Sequence, residues 1–412
     1  MRHRFRASLA TGLLASALLL IVSGCLLWPE DEQASLSDKP FTVGGVTFPN
    51  DSATARAFMT SEPNGRLSAF LEKCTKGTPV TLGFVGGSIT AGGRLQDLKN
   101  RYSDVFASYL RHDYPGLTVK VANAGLSATG SRYAATRAKF QLFPKKPDLI
   151  VVEFAINDVG TASEDEIRAS MEGLVRQCLK VGPEVAVILL FTPKPDGFNV
   201  QNLHSEVGAH YNLPMISYRN AVSPLINDGR LKFDDLFVDD PHPNTSGHRI
   251  MAQLLHAYLK RAATQSGGTT GVEIPAPRFT DLFERTGLAA PGDTAITAVT
   301  AGWRRFTRNA SGDGPTRYAY QSTRVGQDTL TLKTHSREIT LGLHMQTDDT
   351  SSVKVYVDGQ FYSATNNYYV IEHTRLIRLP IASTTALRTI QIIQSGANRF
   401  TVDYVLYAGT PD

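Results

Sequence analysis

The chain has 412 residues, of which 42% are hydrophobic and 19% are charged. This composition is that of an ordinary globular protein and excludes a disordered or collagen-like chain, while the length predicts two domains of unequal size. The formal net charge is +4, from 42 basic and 38 acidic residues. Because no basic run or nucleic-acid-binding motif accompanies this charge, we expect no nucleic-acid partner.

The first residues indicate an export signal. Arg2, Arg4 and Arg6 precede an apolar run, residues 9–22, that is short for a membrane span. Without these three arginines, 39 basic residues would face 38 acidic ones, so the exported chain is expected to be close to neutral.

The apolar run ends in the residues VSGC at positions 22–25, which resemble the lipobox of bacterial lipoproteins. The resemblance implies a signal peptide over residues 1–24, lipid attachment at Cys25 and membrane binding through that lipid. A plain signal peptide or an uncleaved anchor is the alternative. Leu26 follows the cysteine where an inner-membrane retention signal has aspartate, so we expect a cell-envelope lipoprotein, in the outer membrane if the organism has one.

Residues 25–50 are expected to form a tether, and residues 51–264 alternate between strand-like and helix-like segments. The predicted strands are apolar along most of their length and cover residues 81–85, 117–122, 149–154, 185–191 and 215–218. The predicted helices include residues 101–113, 164–179 and 247–259. Apolar strands separated by helices predict a parallel sheet covered on both faces, that is, a three-layer α/β/α sandwich. Glu153 alone interrupts the strand at 149–154.

The pattern changes after residue 264. Residues 265–290 are rich in Gly and Pro near their start and are predicted to form a linker. Residues 291–412 alternate without helices, which predicts an antiparallel, jelly-roll-like β-sandwich. Its expected strands are 296–303, 317–322, 329–333, 339–345, 353–357, 376–379, 387–393 and 400–406. Aromatic and amide residues at 360–362 and 366–369 would suit a carbohydrate-binding surface, but packing within the sandwich explains them equally well.

Residues suited to nucleophilic catalysis stand at the ends of the predicted strands and before the last helix. Ser88 follows a glycine pair after the first strand, and Asn157 follows the strand at 149–154. Asp239 stands three residues before His242 on a proline-containing loop. Because active sites of open parallel sheets lie at the carboxyl ends of the strands, we expect these residues to meet there. An aspartate can orient the histidine so that its other ring nitrogen takes a proton from serine.

The order Gly-x-Ser, Gly, Asn-Asp and Asp-x-x-His, between residues 86 and 242, resembles the SGNH (GDSL-type) hydrolases. The resemblance implies a flavodoxin-like sheet and a serine esterase without a cofactor or metal. It also implies that Ser88 is the nucleophile, His242 the base and Asp239 its orienting partner. The oxyanion hole would combine the Asn157 side chain with the backbone N–H groups of Ser88 and of the second block.

Some positions depart from the usual motifs of the family. Gly87 replaces the aspartate of the first block, which gives the GGSIT variant, and Ala155 replaces the glycine of the third block. In the second block, Gly125 fits the oxyanion donor by its place at the strand end, whereas Ala128 fits it by its spacing within the block. Both remain candidates.

Other reactive residues have simpler interpretations. His248 is expected to cap or pack the last helix, and His204 to lie at the surface. Cys74 and Cys178 are expected to be buried free thiols, although export would permit a disulfide. The aspartates at 234–240 fit a solvated loop better than a calcium site, and no spacing of Cys and His resembles a metal site.

Together these observations predict an exported, lipid-anchored serine esterase that removes short acyl groups, in particular acetyl, from a polysaccharide or cell-envelope glycan. Its partner is then an acylated carbohydrate or a small ester. A lipase, a thioesterase or an O-acyltransferase could use the same residues, and a glycan-binding surface protein could retain the fold without activity. The presence of the serine, asparagine, aspartate and histidine argues against the last alternative.

Overall fold

The structure is a computed structural model that describes residues 39–60, 63–194, 196–265, 273–289, 294–309, 316–323, 328–347, 351–368, 373–396 and 398–410. The predicted signal peptide, residues 1–24, and the predicted lipidation site Cys25 lie outside the described residues. No helix within the described ranges is long and apolar enough to cross a lipid bilayer.

The described chain begins with a short hairpin, β1 (Phe41–Val43) and β2 (Val46–Phe48). Val46 and Phe48 are buried in the core, and the guanidinium of Arg249 lies 4.1 Å from the centre of the Phe41 ring. Residues 41–48 therefore belong to the fold and not to the tether expected over residues 25–50.

Five parallel strands form the central sheet of the first domain. They are β3 (Val80–Gly86), β4 (Val119–Gly125), β5 (Leu149–Glu153), β6 (Ala186–Phe191) and β7 (Met215–Ser217). Their order in the sheet is β4-β3-β5-β6-β7, which is the flavodoxin-like order. In β5, Leu149 and Val151 join one apolar cluster while Ile150 and Val152 join the other. Both faces are thus buried, which explains the continuous apolar sequence of the strands.

Helices cover both faces of this sheet. They are α1 (Asp51–Ala57), α2 (Gly65–Thr75), α3 (Ser88–Ala91), α4 (Tyr102–Asp113), α5 (Ser131–Gln141), α6 (Glu164–Lys180), α7 (Gln201–His210), α8 (Tyr218–Asn227), α9 (Phe233–Leu236) and α10 (Thr245–Thr264), with 3₁₀ turns at Leu98–Asn100 and Phe143–Lys145. Helices α1, α2, α4, α8 and α10 pack on one face, and α5, α6 and α7 pack on the other. The predicted three-layer α/β/α sandwich is confirmed.

The second domain consists of two antiparallel sheets around a shared apolar core, which confirms the predicted β-sandwich. Its strands are β8 (Thr286–Leu288), β9 (Ile296–Ala301), β10 (Trp303–Asn309), β11 (Thr316–Ser322), β12 (Thr329–Ser336), β13 (Glu338–Met345), β14 (Ser352–Val357), β15 (Gln360–Asn366), β16 (His373–Arg378), β17 (Ala386–Ser395) and β18 (Thr401–Ala408). One sheet has the order β10-β11-β18-β13-β16, with β8 paired to β18, and the other has the order β15-β14-β17-β12-β9.

The described part of the second domain has more strands than the sequence prediction, and one of them, β8, lies in the segment that was expected to be a linker. The single strand expected at 296–303 is two strands in different sheets, because the chain turns at Gly302, whose φ is +74°. Strand β15 was not among the expected strands. Its residues are mostly exposed, so its sequence lacks the apolar alternation that marks a half-buried strand.

The segment expected to be a linker, residues 265–290, is packed over its described part, residues 273–289. The buried carboxylate of Glu172 accepts hydrogen bonds from the backbone N–H groups of Arg278, Phe279 and Thr280, at 2.6–2.9 Å. Phe283 packs closely on α6. A Cβ atom added at Gly173 of this helix would lie 2.3 Å from the Cβ atom of Phe283. The connector therefore joins the two domains firmly, which the Gly- and Pro-containing sequence does not indicate.

Phe283 provides a test of this packing. Phe283→Ala should lower the free energy of unfolding by about 3–5 kcal/mol, because the side chain is 2% exposed and its removal leaves a cavity. Phe361→Ala, at a side chain that is 59% exposed, should change it by less than about 0.5 kcal/mol. Urea unfolding measures both values, and equal effects of the two substitutions would contradict the packed connector.

Candidate active site

The candidate nucleophile lies on a tight turn between a strand and a short helix. Strand β3 ends at Gly86, Gly87 forms the turn, and Ser88 begins α3. Helix α3 crosses the end of β4 so closely that a Cβ atom at Gly125 would lie 2.3 Å from the backbone nitrogen of Ala91. Glycine is required there because any side chain would push α3, and with it the serine, away from the sheet.

Ser88, His242 and Asp239 form a continuous hydrogen-bonded chain. The Oγ atom of Ser88 lies 2.9 Å from Nε2 of His242, and Nδ1 of His242 contacts Oδ1 of Asp239. An ionised carboxylate only accepts hydrogen bonds, so Nδ1 carries the ring proton and Nε2 is free to accept the serine proton. The arrangement is the one that activates a serine for attack on a carbonyl carbon.

The loop between α9 and α10 holds His242 in place. The N–H of Val238 donates to the carbonyl of His242 at 2.8 Å, which closes the loop across the Asp239–His242 segment. Asn244 then caps α10 by accepting from the N–H of Gly247 at 3.0 Å. The histidine is therefore anchored to a twenty-residue helix immediately beyond the loop.

Arg94 adds a contact that the sequence did not indicate. The Nε atom of Arg94 donates to Oδ2 of Asp239 at 2.8 Å. The backbone of Arg94 is left-handed, with φ of +70°. Partial burial raises the pKa of the Asp239 carboxyl, but the hydrogen bonds from His242 and Arg94 outweigh this and lower the pKa overall. The carboxylate therefore stays ionised beside the imidazole.

Asn157 lies against the nucleophile turn. A Cβ atom at Gly87 would lie 2.0 Å from Oδ1 of Asn157, so the amide of Asn157 covers the backbone directly before Ser88. Within the described residues, neither the Asn157 amide nor the Ser88 N–H has a hydrogen-bond partner, and the Oδ1 atom is buried. The Nδ2 group of Asn157 and the N–H of Ser88 are therefore donors that could bind an oxyanion.

The structure separates the two candidates from the second block. The N–H of Gly125 donates to Oδ1 of Asn123 at 2.8 Å, so it is not available to an oxyanion and the assignment of Gly125 is corrected. Ala128 has a left-handed backbone, with φ of +57°, and its N–H has no acceptor among the described residues. Ala128 therefore remains the candidate donor of this block.

Asp158 joins the second and third blocks beneath the site. Its Oδ1 accepts from the N–H of Ser131 at 2.8 Å, at the start of α5, and its Oδ2 lies 3.0 Å from Nε2 of His204. His204 is fully buried, so its predicted surface position was wrong. The error arose because the pairing partner, Asp158, is 46 residues away in sequence.

The remaining candidates are structural. His248 is fully buried and accepts from the N–H of Tyr102 at 3.2 Å; burial and the nearby Arg101 and His242 lower its pKa to about 3. Cys74 and Cys178 are buried free thiols, as predicted. Across the part of the chain that the structure describes, no three His, Cys, Asp or Glu side chains cluster as metal ligands would.

Comparison with known proteins agrees with this geometry. Residues 84–250 match the model of the GDSL-like Lipase/Acylhydrolase family. An acetylxylan esterase of Geobacillus stearothermophilus is 26% identical over 205 residues, which cover 43% of this chain and 91% of that relative. Residues 84–250 are thus similar to the GDSL-type hydrolases. The protein is a carboxylic ester hydrolase with an additional domain.

Solved structures share both domains of this hydrolase. The crystal structure of a two-domain esterase (CEX) active on acetylated mannans has a TM-score of 0.78 and 21% identity. The match covers 87% of this chain and 99% of that chain. A structure of a two-domain esterase (CEX) co-crystallised with mannopentaose has a TM-score of 0.77, also at 21% identity, and covers 87% of this chain and 98% of that chain. At this identity the likeness establishes the two-domain fold.

Substitutions in the Ser88–His242–Asp239 chain test its role. Ser88→Ala and His242→Ala should each lower kcat on an activated acetyl ester by more than about a thousandfold, because the two side chains act as a unit. Asp239→Asn should lower kcat by up to about ten-thousandfold, because the imidazole loses the carboxylate that fixes its tautomer and its orientation.

The matched control is Ser205→Ala, at a hydroxyl on the surface of α7. It should leave the steady-state rate unchanged. Turnover at the normal rate by a folded Ser88→Ala protein would contradict the assignment of the nucleophile.

Proposed function

We propose that the enzyme removes O-acetyl groups from an acetylated polysaccharide by a two-step serine mechanism. Nε2 of His242 takes the Ser88 proton as Oγ bonds to the ester carbonyl carbon, and His242 then returns the proton to the leaving sugar oxygen as the ester bond breaks. Water then gives a proton to His242 and attacks the acyl-serine, and His242 returns this proton to Ser88 Oγ as acetic acid is released. The N–H groups of Ser88 and Ala128 and the Asn157 amide stabilise the oxyanion in both steps.

The contact between His242 Nε2 and Ser88 Oγ carries this proposal, and the names of the relatives support the choice of ester. One relative is an acetylxylan esterase, and a solved structure with the same two-domain fold is of an esterase active on acetylated mannans. Both names refer to an acetylated polysaccharide. We therefore place acetylated polysaccharide ahead of long-chain lipids or thioesters.

We also propose that the chain is a GGSIT variant of the SGNH family. The support is the contact between Gly87 and Asn157, because the Asn157 amide occupies the space in which a side chain at position 87 would begin. An aspartate at position 87 would displace Asn157 in this arrangement. The missing carboxyl group thus leaves room for an oxyanion donor and removes a negative charge from beside the oxyanion.

The second domain is proposed to bind the polysaccharide. Three aromatic side chains on and after β15 are strongly exposed: Phe361 (59%), Tyr362 (40%) and Tyr368 (53%). The Tyr362 hydroxyl donates to the carbonyl of Arg378 at 2.8 Å, and the Arg378 side chain contacts Glu166 at the start of α6 and the carbonyl of Thr161. Strand β15 is thereby linked to the loop that follows Asn157. Exposed aromatic faces stack favourably on sugar rings.

An activity screen tests the substrate. Initial rates on p-nitrophenyl acetate, butyrate and octanoate should fall with chain length, and acetylated mannan or xylan should release acetate. The double variant Phe361→Ala/Tyr368→Ala should lower the rate on the polymer several-fold. It should leave the rate on p-nitrophenyl acetate unchanged, because only the polymer is long enough to reach β15.

Leu387→Ala, at an apolar side chain that is 55% exposed on the same domain, serves as the control and should change neither rate. A preference for octanoate would indicate a lipase or thioesterase. Acetyl transfer to an added alcohol in preference to water would indicate an acyltransferase.

We propose that the enzyme is exported and held at the cell envelope by a lipid on Cys25, in the outer membrane where one exists. The support is the VSGC sequence after an apolar run, followed by leucine in place of aspartate. Cys25→Ser should move the protein from the membrane fraction to the soluble exported fraction, with Cys74→Ser as the control. Equal membrane binding of Cys25→Ser and the unaltered protein in cell fractionation would argue against the anchor.

A further inference from the structure

Glu153 is a fully buried carboxyl group behind the nucleophile turn. It is the last residue of β5 and stands opposite Gly86, the last residue of β3, in the register of the sheet. Its side chain is 0% exposed, and within the described residues it forms no ion pair. The proposed mechanism does not use it, and it is the one polar residue in an otherwise apolar strand.

Among the residues that the structure describes, the carboxyl group of Glu153 is bonded by hydroxyl groups alone. The Thr192 hydroxyl donates to Oε1 at 2.6 Å, and the Thr90 hydroxyl donates to Oε2 at 3.1 Å. Burial raises the pKa of Glu153 to about 7; the bonds from the two threonines oppose this rise and the nearby Asp158 adds to it. A buried acid is less stable in such a site than a well-packed apolar residue, so an apolar strand end would be the more stable choice.

The bond to Thr90 connects Glu153 to the catalytic serine. Thr90 is two residues after Ser88 in the four-residue helix α3 and is itself fully buried. Its hydroxyl also lies 2.9 Å from the hydroxyl of Tyr102, and its carbonyl accepts from Nδ2 of Asn123 at 2.8 Å. The backbone bonds of α3 are those of a single turn, from the N–H groups of Ala91, Gly92 and Gly93, so these side-chain bonds add substantially to what fixes its position.

The bond to Thr192 fixes the other end of the carboxyl. Thr192 follows β6, and its carbonyl accepts from Nδ2 of Asn199 at 3.0 Å. Glu153 therefore ties α3 to the end of the neighbouring strand. A carboxyl group can make both bonds at once, whereas an apolar residue can make neither.

We propose that Glu153 is a positioning residue for the nucleophile: through Thr90 it holds α3 so that Ser88 Oγ stays within hydrogen-bond distance of His242 Nε2. The proposal rests on the proposed role of Ser88 as nucleophile. A displacement of about 1 Å at a reacting group can lower a rate about a hundredfold, so one hydrogen bond behind the serine is sufficient to matter.

Steady-state kinetics on p-nitrophenyl acetate test this role in the full chain. Glu153→Val and Thr90→Val should each lower kcat about 10- to 100-fold with KM changed less than about twofold, because the substrate site is intact while the serine is misplaced. The double variant should lose much less than the product of the two single losses, since both substitutions remove the bond between Thr90 and Glu153. Glu153→Gln should keep kcat within about threefold, because the amide still bonds both hydroxyls.

The matched control is Thr334→Val, which removes a buried hydroxyl in the second domain that donates to the carbonyl of Ala295 at 2.7 Å. It should lower stability and leave kcat unchanged. Rates are expressed per active enzyme, and Thr90→Val provides the test if Glu153→Val does not fold.

Unchanged kcat in Thr90→Val, losses that multiply in the double variant, or a loss in Glu153→Gln equal to that in Glu153→Val would each overturn the proposal. If Ser88→Ala is inactive in the same assay, these outcomes reject the role of Glu153 alone. If Ser88→Ala is active, the nucleophile assignment and the role of Glu153 both fail.

Discussion

The hydrogen bond between Ser88 and His242 connects residues that are 154 positions apart, and much of the first domain serves to hold its two ends. One end is a four-residue helix that rests on the glycines at the edge of β3 and β4; the other is a loop closed on itself and fixed to α10. Buried polar contacts place the helix at the carboxyl edge of the sheet, and partly buried hydrogen bonds place the loop. Nucleophilic catalysis tolerates little displacement, so these contacts have functional as well as structural consequences.

The two domains meet through contacts that resemble those inside one domain. Glu172 binds the connector, Arg132 of α5 forms a buried ion pair of 2.5 Å with Glu338 of β13, and the rings of Tyr133 and Tyr404 stack with centres 4.2 Å apart. Removing one partner of a buried ion pair leaves an unpaired charge, which is strongly destabilising. The second domain is thus held at a fixed position beside the catalytic loops, and cutting the chain near residue 264 would expose apolar surface of α6.

The sequence was sufficient to predict the α/β/α sandwich, the β-sandwich and the residues that meet at the site, because strand periodicity and the order of short motifs are local features. It was insufficient wherever a residue's role depends on a distant partner or on the rotamer of a neighbouring side chain. The burial of His204 depends on Asp158, and the use of the Gly125 N–H depends on the rotamer of Asn123. The packed connector depends on Glu172. Glu153 was visible only as an acid in an apolar strand, without its threonine partners.

The proposed esterase mechanism depends most directly on a reactive Ser88 that His242 activates. A fluorophosphonate reacts covalently with activated serines. Intact mass measurement then counts the adducts, and peptide mapping identifies the labelled residue. We expect one adduct per chain, on Ser88, with labelling slowed more than about a hundredfold in His242→Ala. Labelling of another serine in the active enzyme, or an unchanged rate of Ser88 labelling in His242→Ala, would contradict it.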